Sequence, residues 1–179
     1  AWAGTLVGYR FIHEGTHDPV IRKFAYDYVT DDVIPVLLPC PIDLEAYRDV
    51  VLDRFGNPAI ADTNQRVAMD AISKIPGMIA PTMRDRLARQ SSIDSVAMLP
   101  ALFLAYLQRW HAGRIPYTYQ DQAMDPAVAH AICEATDPVA AYAADTTLWG
   151  EMASDPRLVN ALRSAYARVL EFAARCEHC

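Results

Sequence analysis

Two cationic residues, Arg66 and Lys74, stand about two helical turns apart near the end of the stretch 54–74. On one side of a helix, such a pair could hold hydroxyl groups or an anion in a cleft, because guanidinium and ammonium groups each offer several N–H donors. Asp70 lies four residues after Arg66, so a simple exposed ion pair remains the alternative. Spacing alone does not choose between a binding site and a solvated pair.

A single helix is predicted to carry these side chains. Asp62 or Thr63 can cap its start, and Pro76-Gly77 closes it after Lys74. A period of about 100° per residue then gives the helix two different sides. The packing side comprises Val67, Ala68, Ala71, Ile72 and Ile75. The charged side comprises Asp62, Arg66, Met69, Asp70, Ser73 and Lys74.

The segment His13-Glu14-Gly15-Thr16-His17 has the letters and spacing of a zinc-hydrolase motif. That chemistry requires both imidazoles on one side of a regular helix, together with a third ligand further along the chain. Gly15-Thr16 and the following Asp18-Pro19 instead favour a helix end here. His13 would then pack inward, while His17 would cap the helix or be exposed. A zinc hydrolase is therefore the less favoured alternative.

The terminal segment Cys176-Glu177-His178-Cys179 could bind a metal or cycle as a dithiol. The chain offers no second pair of ligands, and a frayed terminus seldom builds a rigid site. No metal ligand is therefore assigned. With Cys40 and Cys133, the chain has four cysteines, too few for a disulfide framework, which favours a reducing, cytoplasmic location.

Composition narrows the class of protein further. The 179 residues are 53% hydrophobic, enough to bury the core of one domain. A net charge of -6 argues against nucleic acid or an anionic membrane as the partner, because both attract basic surfaces. The start has no initiator Met, basic leader or long apolar run, so we expect neither a signal peptide nor a membrane span, but a piece of a longer protein.

The elements that must position these residues are predicted to be helices. No period-2 run indicates a strand, and no Gly-rich nucleotide fingerprint is present, so the predicted fold is all-α with short connections. Residues 93–111 form the most apolar stretch, which predicts a buried central helix. We expect one helical domain over residues 1–179, with a main core at 1–144 and a C-terminal helical extension at 145–179. The other predicted helices cover about 2–14, 20–37, 43–55, 75–89, 126–135, 139–144 and 157–175. The Asp-Pro pairs at 18–19, 137–138 and 155–156 are expected to start three of them.

Several stretches resemble the C-terminal domain of the long-chain polyol dehydrogenases, the mannitol dehydrogenase family. The resemblance is clearest in the pieces Gly8–Glu14, Asp31–Pro35, Ile42–Phe55, Asn57–Val67 and Ser73–Pro76. The patterns Arg-Phe-x-Asn-Pro and Ser-Lys-x-Pro at this separation are its most specific elements. It covers most of the chain and is strongest toward the members that act on D-arabinitol.

This resemblance implies an NAD-dependent oxidation of a secondary alcohol in a sugar alcohol, of the D-arabinitol or mannitol class, to a ketose. A preceding Rossmann domain would hold most of the NAD, and this helical domain would close over the polyol. The family's base lysine stands in a Lys-x-x-x-x-Asn-x-x-His motif, which neither Lys23 nor Lys74 matches. We therefore assign no catalytic and no cofactor-binding residue to this chain, and expect it to be inactive alone.

The same resemblance implies that Arg66 and Lys74 belong to the polyol site, with Asn64 and Gln65 as weaker candidates. Met69 stands where mannitol-type enzymes carry a histidine, and a thioether cannot donate a hydrogen bond to a hydroxyl. That departure favours a polyol shorter than mannitol. The alternative from another class is a helical interaction domain without catalysis.

Overall fold

The computed structural model describes residues 1–175, and within that range it is built from helices. The described part has no β-strand; one antiparallel bridge joins Phe11 to Thr63. The all-α prediction is thus confirmed, while the segment Cys176–Cys179, to which no metal ligand was assigned, lies outside the described residues. The α-helices are α1 (Trp2–Leu6), α2 (Ile12–His17), α3 (Pro19–Asp27), α4 (Ile34–Leu37), α5 (Leu44–Phe55), α6 (Asn64–Ala68), α7 (Ala80–Ala88), α8 (Asp94–His111), α9 (Pro126–Glu134), α10 (Pro138–Ala143), α11 (Thr146–Trp149) and α12 (Pro156–Ala174).

Helix α8 is the centre of the fold, as its apolar sequence predicts. Its side chains from Val96 to Leu107 are buried almost without interruption. Helix α12, from the predicted C-terminal extension, packs along α8, and α1 and α9 cover further parts of it. Over residues 1–175, none of the helices combines the length and the apolar character needed to cross a membrane.

Aspartate followed by proline starts four of these helices, three of them as predicted. Asp18, Asp125, Asp137 and Asp155 each accept hydrogen bonds from backbone N–H groups in the first turn of α3, α9, α10 and α12. The proline at the first helical position loses nothing, because its missing N–H would have had no partner inside the helix. These caps fix where each helix begins.

Two predicted helices continue through π-helical turns. Residues Tyr28–Val33 form such a turn between α3 and α4, so a helical path runs from Pro19 to Leu37. Residues Ile75–Ile79 form another, which leads directly into α7. The helix predicted over 2–14 is wrong, because Gly8 adopts a φ of 83° between α1 and α2.

The single helix predicted between Asp62 or Thr63 and Lys74 is also wrong. Its start is confirmed, since the Thr63 hydroxyl accepts a hydrogen bond from the Arg66 amide, but α6 already ends at Ala68. Residues 69–74 form turns instead. The Ile72 amide donates to the buried Asp121 carboxylate at 2.9 Å, a partner outside any helix. Pro76 adds to the break, because its ring would clash with the Ile72 carbonyl in a continuous helix.

Candidate functional site

The start of α6 is fixed by the segment between α1 and α2. The Ile12 amide donates to the Asp62 carbonyl, and the Asn64 amide donates to the Arg10 carbonyl, both at 2.9 Å. The buried side chain of Asn64 donates through Nδ2 to the Tyr9 carbonyl at 2.9 Å. Asn64 therefore uses at least one of its side-chain N–H donors to hold the backbone in place.

The residues predicted to form the charged side of one helix remain on one side although α6 ends at Ala68. Ala68, Ala71 and Ile75 are buried, whereas Arg66 and Asp70 are exposed. The turns of 69–74 thus keep the two faces apart although the helix has ended.

Each cation on this side has a carboxylate partner. Arg66 pairs with Asp62 through Nε and Nη2, rather than with Asp70 as the sequence alternative has it. The Lys74 ammonium donates to Asp70 at 2.7 Å. The hydrogen bond from Arg66 lowers the pKa of Asp62, and the hydrogen bond from Lys74 lowers the pKa of Asp70.

Lys74 lies near the first residue of the chain. The positive charge of Lys74 acts on the backbone nitrogen of Ala1. The Lys74 side chain is 35% exposed, compared with 66% for Arg66. A cleft of about 210 Å³ opens beside α6, and Ala1, Asn64 and Val67 are among its lining residues, whereas Arg66 and Lys74 do not line it.

The two other candidates lie at the edges of this region. Met69 follows the last residue of α6 and is 44% exposed, so its thioether is available to a neighbouring molecule. The Gln65 amide donates to the Thr118 carbonyl at 3.3 Å, which ties α6 to the loop 112–125. Among the predicted site residues, Gln65, Arg66 and Met69 are therefore exposed, Lys74 is partly exposed and Asn64 is buried.

The zinc-hydrolase alternative is not supported by the geometry of its motif. The Glu14 carboxylate accepts hydrogen bonds from the Arg10 and Phe11 amides, which caps α2 and occupies the would-be general base. The rings of His13 and His17 meet edge to face, and α2 ends at His17. The segment His13–His17 is therefore the end of a helix, the interpretation that the sequence favoured over a zinc site.

Among residues 1–175, the histidine, cysteine and carboxylate side chains close enough together to hold a metal ion are His111, His130 and Glu134. The sequence analysis missed this group. Its members come from two helices joined by a long loop, so no contiguous sequence motif contains all three. The spacing of His130 and Glu134 by one helical turn was the only signal.

Comparison with known proteins places this arrangement in a family. Residues 1–170 match the model of the mannitol dehydrogenase C-terminal domain. The chain is 59% identical over 169 residues to the D-arabinitol 4-dehydrogenase of Ralstonia nicotianae, covering 94% of this chain and 36% of that protein. It is 50% identical to the D-arabinitol 4-dehydrogenase of Klebsiella pneumoniae over 94% of this chain and 37% of that protein.

A solved structure shows the same architecture. It is Pseudomonas fluorescens mannitol 2-dehydrogenase in a ternary complex with NAD and D-mannitol, which superposes with a TM-score of 0.81 at 29% identity. The match covers 97% of this chain and 37% of that one. The present chain thus spans little more than a third of the length of these relatives. It belongs to the family of proteins that carry the mannitol dehydrogenase C-terminal domain.

Proposed function

We propose that this chain is the substrate-side domain of an NAD-dependent polyol dehydrogenase, which oxidises a secondary alcohol of a sugar alcohol of the D-arabinitol type to a ketose. The proposal is supported by the identity of 59% with a D-arabinitol 4-dehydrogenase over nearly the whole chain. The single structural observation that carries it is the position of Lys74, a partly exposed cation beside Ala1. In the family that the sequence resembles, the base motif stands immediately before the segment that Ala1 begins here, so Lys74 would lie close to the base.

The cations would orient the polyol rather than act on its bonds. Arg66 donates from Nε and Nη2 to Asp62, and Lys74 donates one ammonium hydrogen to Asp70. The guanidinium and ammonium groups still offer further N–H donors to hydroxyl oxygens. Holding several hydroxyls at once presents one carbon of a neutral polyol to the hydride acceptor and its hydroxyl to the base.

Cofactor and base belong, in this proposal, to a preceding Rossmann domain. Residues 1–175 form no strand that could lead into a Gly-rich phosphate-binding turn, so they do not fit a dinucleotide on their own. NAD supplies the hydride acceptor when it is bound there. Residues 1–179 alone would therefore be inactive, and a core at 1–144 with an extension at 145–179 would close over the polyol.

Kinetics of the full-length enzyme test the site. Arg66→Ala and Lys74→Ala should each lower kcat/KM for D-arabinitol by about 10- to 100-fold, since a hydrogen bond to a charged group contributes about 1.5–3 kcal/mol. The dissociation constant of NAD should change less than about twofold, because neither side chain would touch the cofactor.

The chain offers matched controls for both variants. Lys23 forms an exposed ion pair with Asp27 at 2.8 Å, and Arg163 forms one with Asp137 at 2.7 Å. Lys23→Ala and Arg163→Ala should leave turnover of the polyol unchanged. Wild-type kinetics in both site variants would refute the site, and a full-length protein that oxidises no polyol would favour the helical interaction domain instead.

A further inference from the structure

Three potential metal ligands meet where the central helix ends. His111 is the last residue of α8, while His130 and Glu134 lie one turn apart on α9. The two Nδ1 atoms of His111 and His130 are 2.7 Å apart, and His111 Nε2 lies 3.9 Å from a Glu134 oxygen. Taking one ligand atom from each residue, all three atoms lie within 4.8 Å of one another.

The imidazole of His130 is held in place by aromatic packing. The Trp110 ring stacks on it with centroids 4.6 Å apart and an angle of 27° between the planes. Trp110 is itself packed edge to face against the buried Tyr119. A ligand whose orientation is fixed in this way loses little freedom on binding. Glu134, by contrast, is 67% exposed and can turn toward an ion.

The local field also favours a cation. His111 closes an 18-residue helix and Glu134 closes a nine-residue helix, so both supply the carbonyl ends of their helices to the same region. The C-terminal end of a helix carries partial negative charge, roughly half an elementary charge. The Glu134 carboxylate adds a full negative charge. Two helix ends and one carboxylate therefore surround the paired imidazoles.

We propose that His111, His130 and Glu134 bind a divalent transition metal ion of the zinc type. Imidazole nitrogen and carboxylate oxygen are both ligands that zinc accepts, and three protein ligands leave one position for water. In a tetrahedral site with bonds of about 2.0 Å, two nitrogens lie roughly 3.3 Å apart. The two Nδ1 atoms need to separate by about 0.6 Å from their hydrogen-bonded distance of 2.7 Å. This inference does not depend on the proposed dehydrogenase function.

Such an ion would stabilise the loop that joins the two helices. His111 and His130 lie on either side of residues 112–125, so a metal ion bound to both closes the loop. Inside the loop, Thr118 accepts a hydrogen bond from Gln65, and Asp121 accepts one from the Ile72 amide. The metal would act as a structural clamp at one end of a loop whose middle supports α6 and the turns after it.

Zinc titration of the full-length protein tests the site directly. The protein is stripped with a chelator, and Cys176→Ser/Cys179→Ser is used as the background so that the terminal thiols do not compete. We expect one equivalent of Zn²⁺ by calorimetry. Tm should rise by about 3 °C when free Zn²⁺ exceeds Kd a hundredfold, because the ion binds only the folded chain.

Variants separate this site from other histidines and carboxylates. Glu134→Gln and His130→Ala should weaken zinc binding by at least about tenfold and remove the rise in Tm. The matched controls Glu151→Gln and His17→Ala should leave both unchanged. Because Glu134 is exposed, its variant should fold normally, so the result does not depend on His130→Ala folding.

A second readout uses the ring stacked on His130. Ni²⁺ or Cu²⁺ bound at the site should quench the fluorescence of Trp110, and Trp110→Phe should abolish that quenching while the other tryptophans, Trp2 and Trp149 among them, still emit. Zinc affinity that survives in Glu134→Gln and His130→Ala, or falls only in His17→Ala, would overturn the proposal. Loss of both signals in the two site variants alone would establish it.

Discussion

At the scale of single residues, alternating charges define the proposed polyol site. Asp62, Arg66, Asp70 and Lys74 follow one another at intervals of four, and the structure pairs the first two and the last two. Neighbouring cations lower the pKa of both carboxyls, so these carboxylates stay ionised over the neutral range. The carboxylates therefore position the cations and leave their outward N–H donors available to hydroxyl oxygens.

Asn64 fixes this arrangement, and Gly4 makes room for it. A Cβ atom at position 4 would lie 2.6 Å from Asn64 Nδ2, too close for two non-bonded atoms. That nitrogen donates to the Tyr9 carbonyl, so it cannot move away without losing its hydrogen bond. Gly4→Ala should lower the free energy of unfolding by about 1–3 kcal/mol through overpacking.

Urea denaturation measures this effect, with Gly77→Ala as the control. A methyl group added at Gly77 would meet no other atom within 4 Å, and the backbone there is not left-handed. The substitution at Gly77 should therefore change stability by about 1 kcal/mol or less. Equal stabilities for the two variants would show that Asn64 adjusts freely. The start of α6 would then not depend on this contact.

At the scale of helices, α8 receives its N-terminal cap from a distant segment. Its own N-cap residue, Ile93, offers no side-chain acceptor. Asp32, buried in the π-helical turn after α3, instead accepts from the Val96 amide at 2.6 Å and pairs with Arg86 at 3.0 Å. Burial raises the pKa of Asp32, while the Val96 amide and Arg86 act in the opposite direction.

Removing this cap should destabilise the whole domain. In Asp32→Ala the Val96 amide and the Arg86 guanidinium lose a buried partner, which should cost about 3–5 kcal/mol. Asp32→Asn should cost less, because an amide oxygen still accepts from Val96 and carries no buried charge.

Thermal unfolding compares these variants with Asp31→Ala. Asp31 is the exposed neighbour and accepts only a hydrogen bond from the Ser95 hydroxyl at 2.8 Å. Its loss should cost about 1 kcal/mol, and hence a few degrees of Tm. If Asp31→Ala and Asp32→Ala unfolded at the same temperature, the remote cap would contribute nothing specific.

The sequence predicted those helices whose signals are local. Asp-Pro starts and the apolar run of 93–111 depend on residues within one or two turns, and the structure confirms them. The helix predicted to end at Lys74 was wrong because its end depends on Asp121, almost fifty residues away. Hydrophobic periodicity still predicted which residues of this segment are buried and which are exposed, because the turns after α6 keep the two sets on opposite sides.

The site was predictable only in part, for the same physical reason. Arg66 and Lys74 were identified from spacing and resemblance, but their partners were not, because a choice between Asp62 and Asp70 depends on where α6 ends. The sequence did not predict that His111 and His130 lie together, because the path of the loop 112–125 decides whether the two rings meet.

At the scale of the whole molecule, exposed apolar side chains concentrate in one segment. Most of the large hydrophobic residues that remain exposed fall between positions 26 and 60; they are Tyr26, Leu37, Leu38, Ile42, Tyr47, Val50, Phe55 and Ile60. Single exposed apolar residues are ordinary, but Tyr47 and Val50 stand three residues apart on α5 and share one exposed face, the kind of surface that another body covers. The relatives are more than two and a half times as long as this chain, so the proposed Rossmann domain is the natural candidate for that body.

Substitution of Val50, which is 65% exposed on α5, tests this assignment in the full-length protein. Val50→Lys should lower Tm and speed proteolysis between the two domains, because a lysine ammonium would lose its water at the interface. Leu170→Lys is the matched control: Leu170 is 48% exposed on α12, outside the segment 26–60, and its lysine should stay hydrated with Tm unchanged. A Tm unaffected by Val50→Lys would place the Rossmann domain on another face, whereas a loss confined to Val50→Lys would locate the interface on α5.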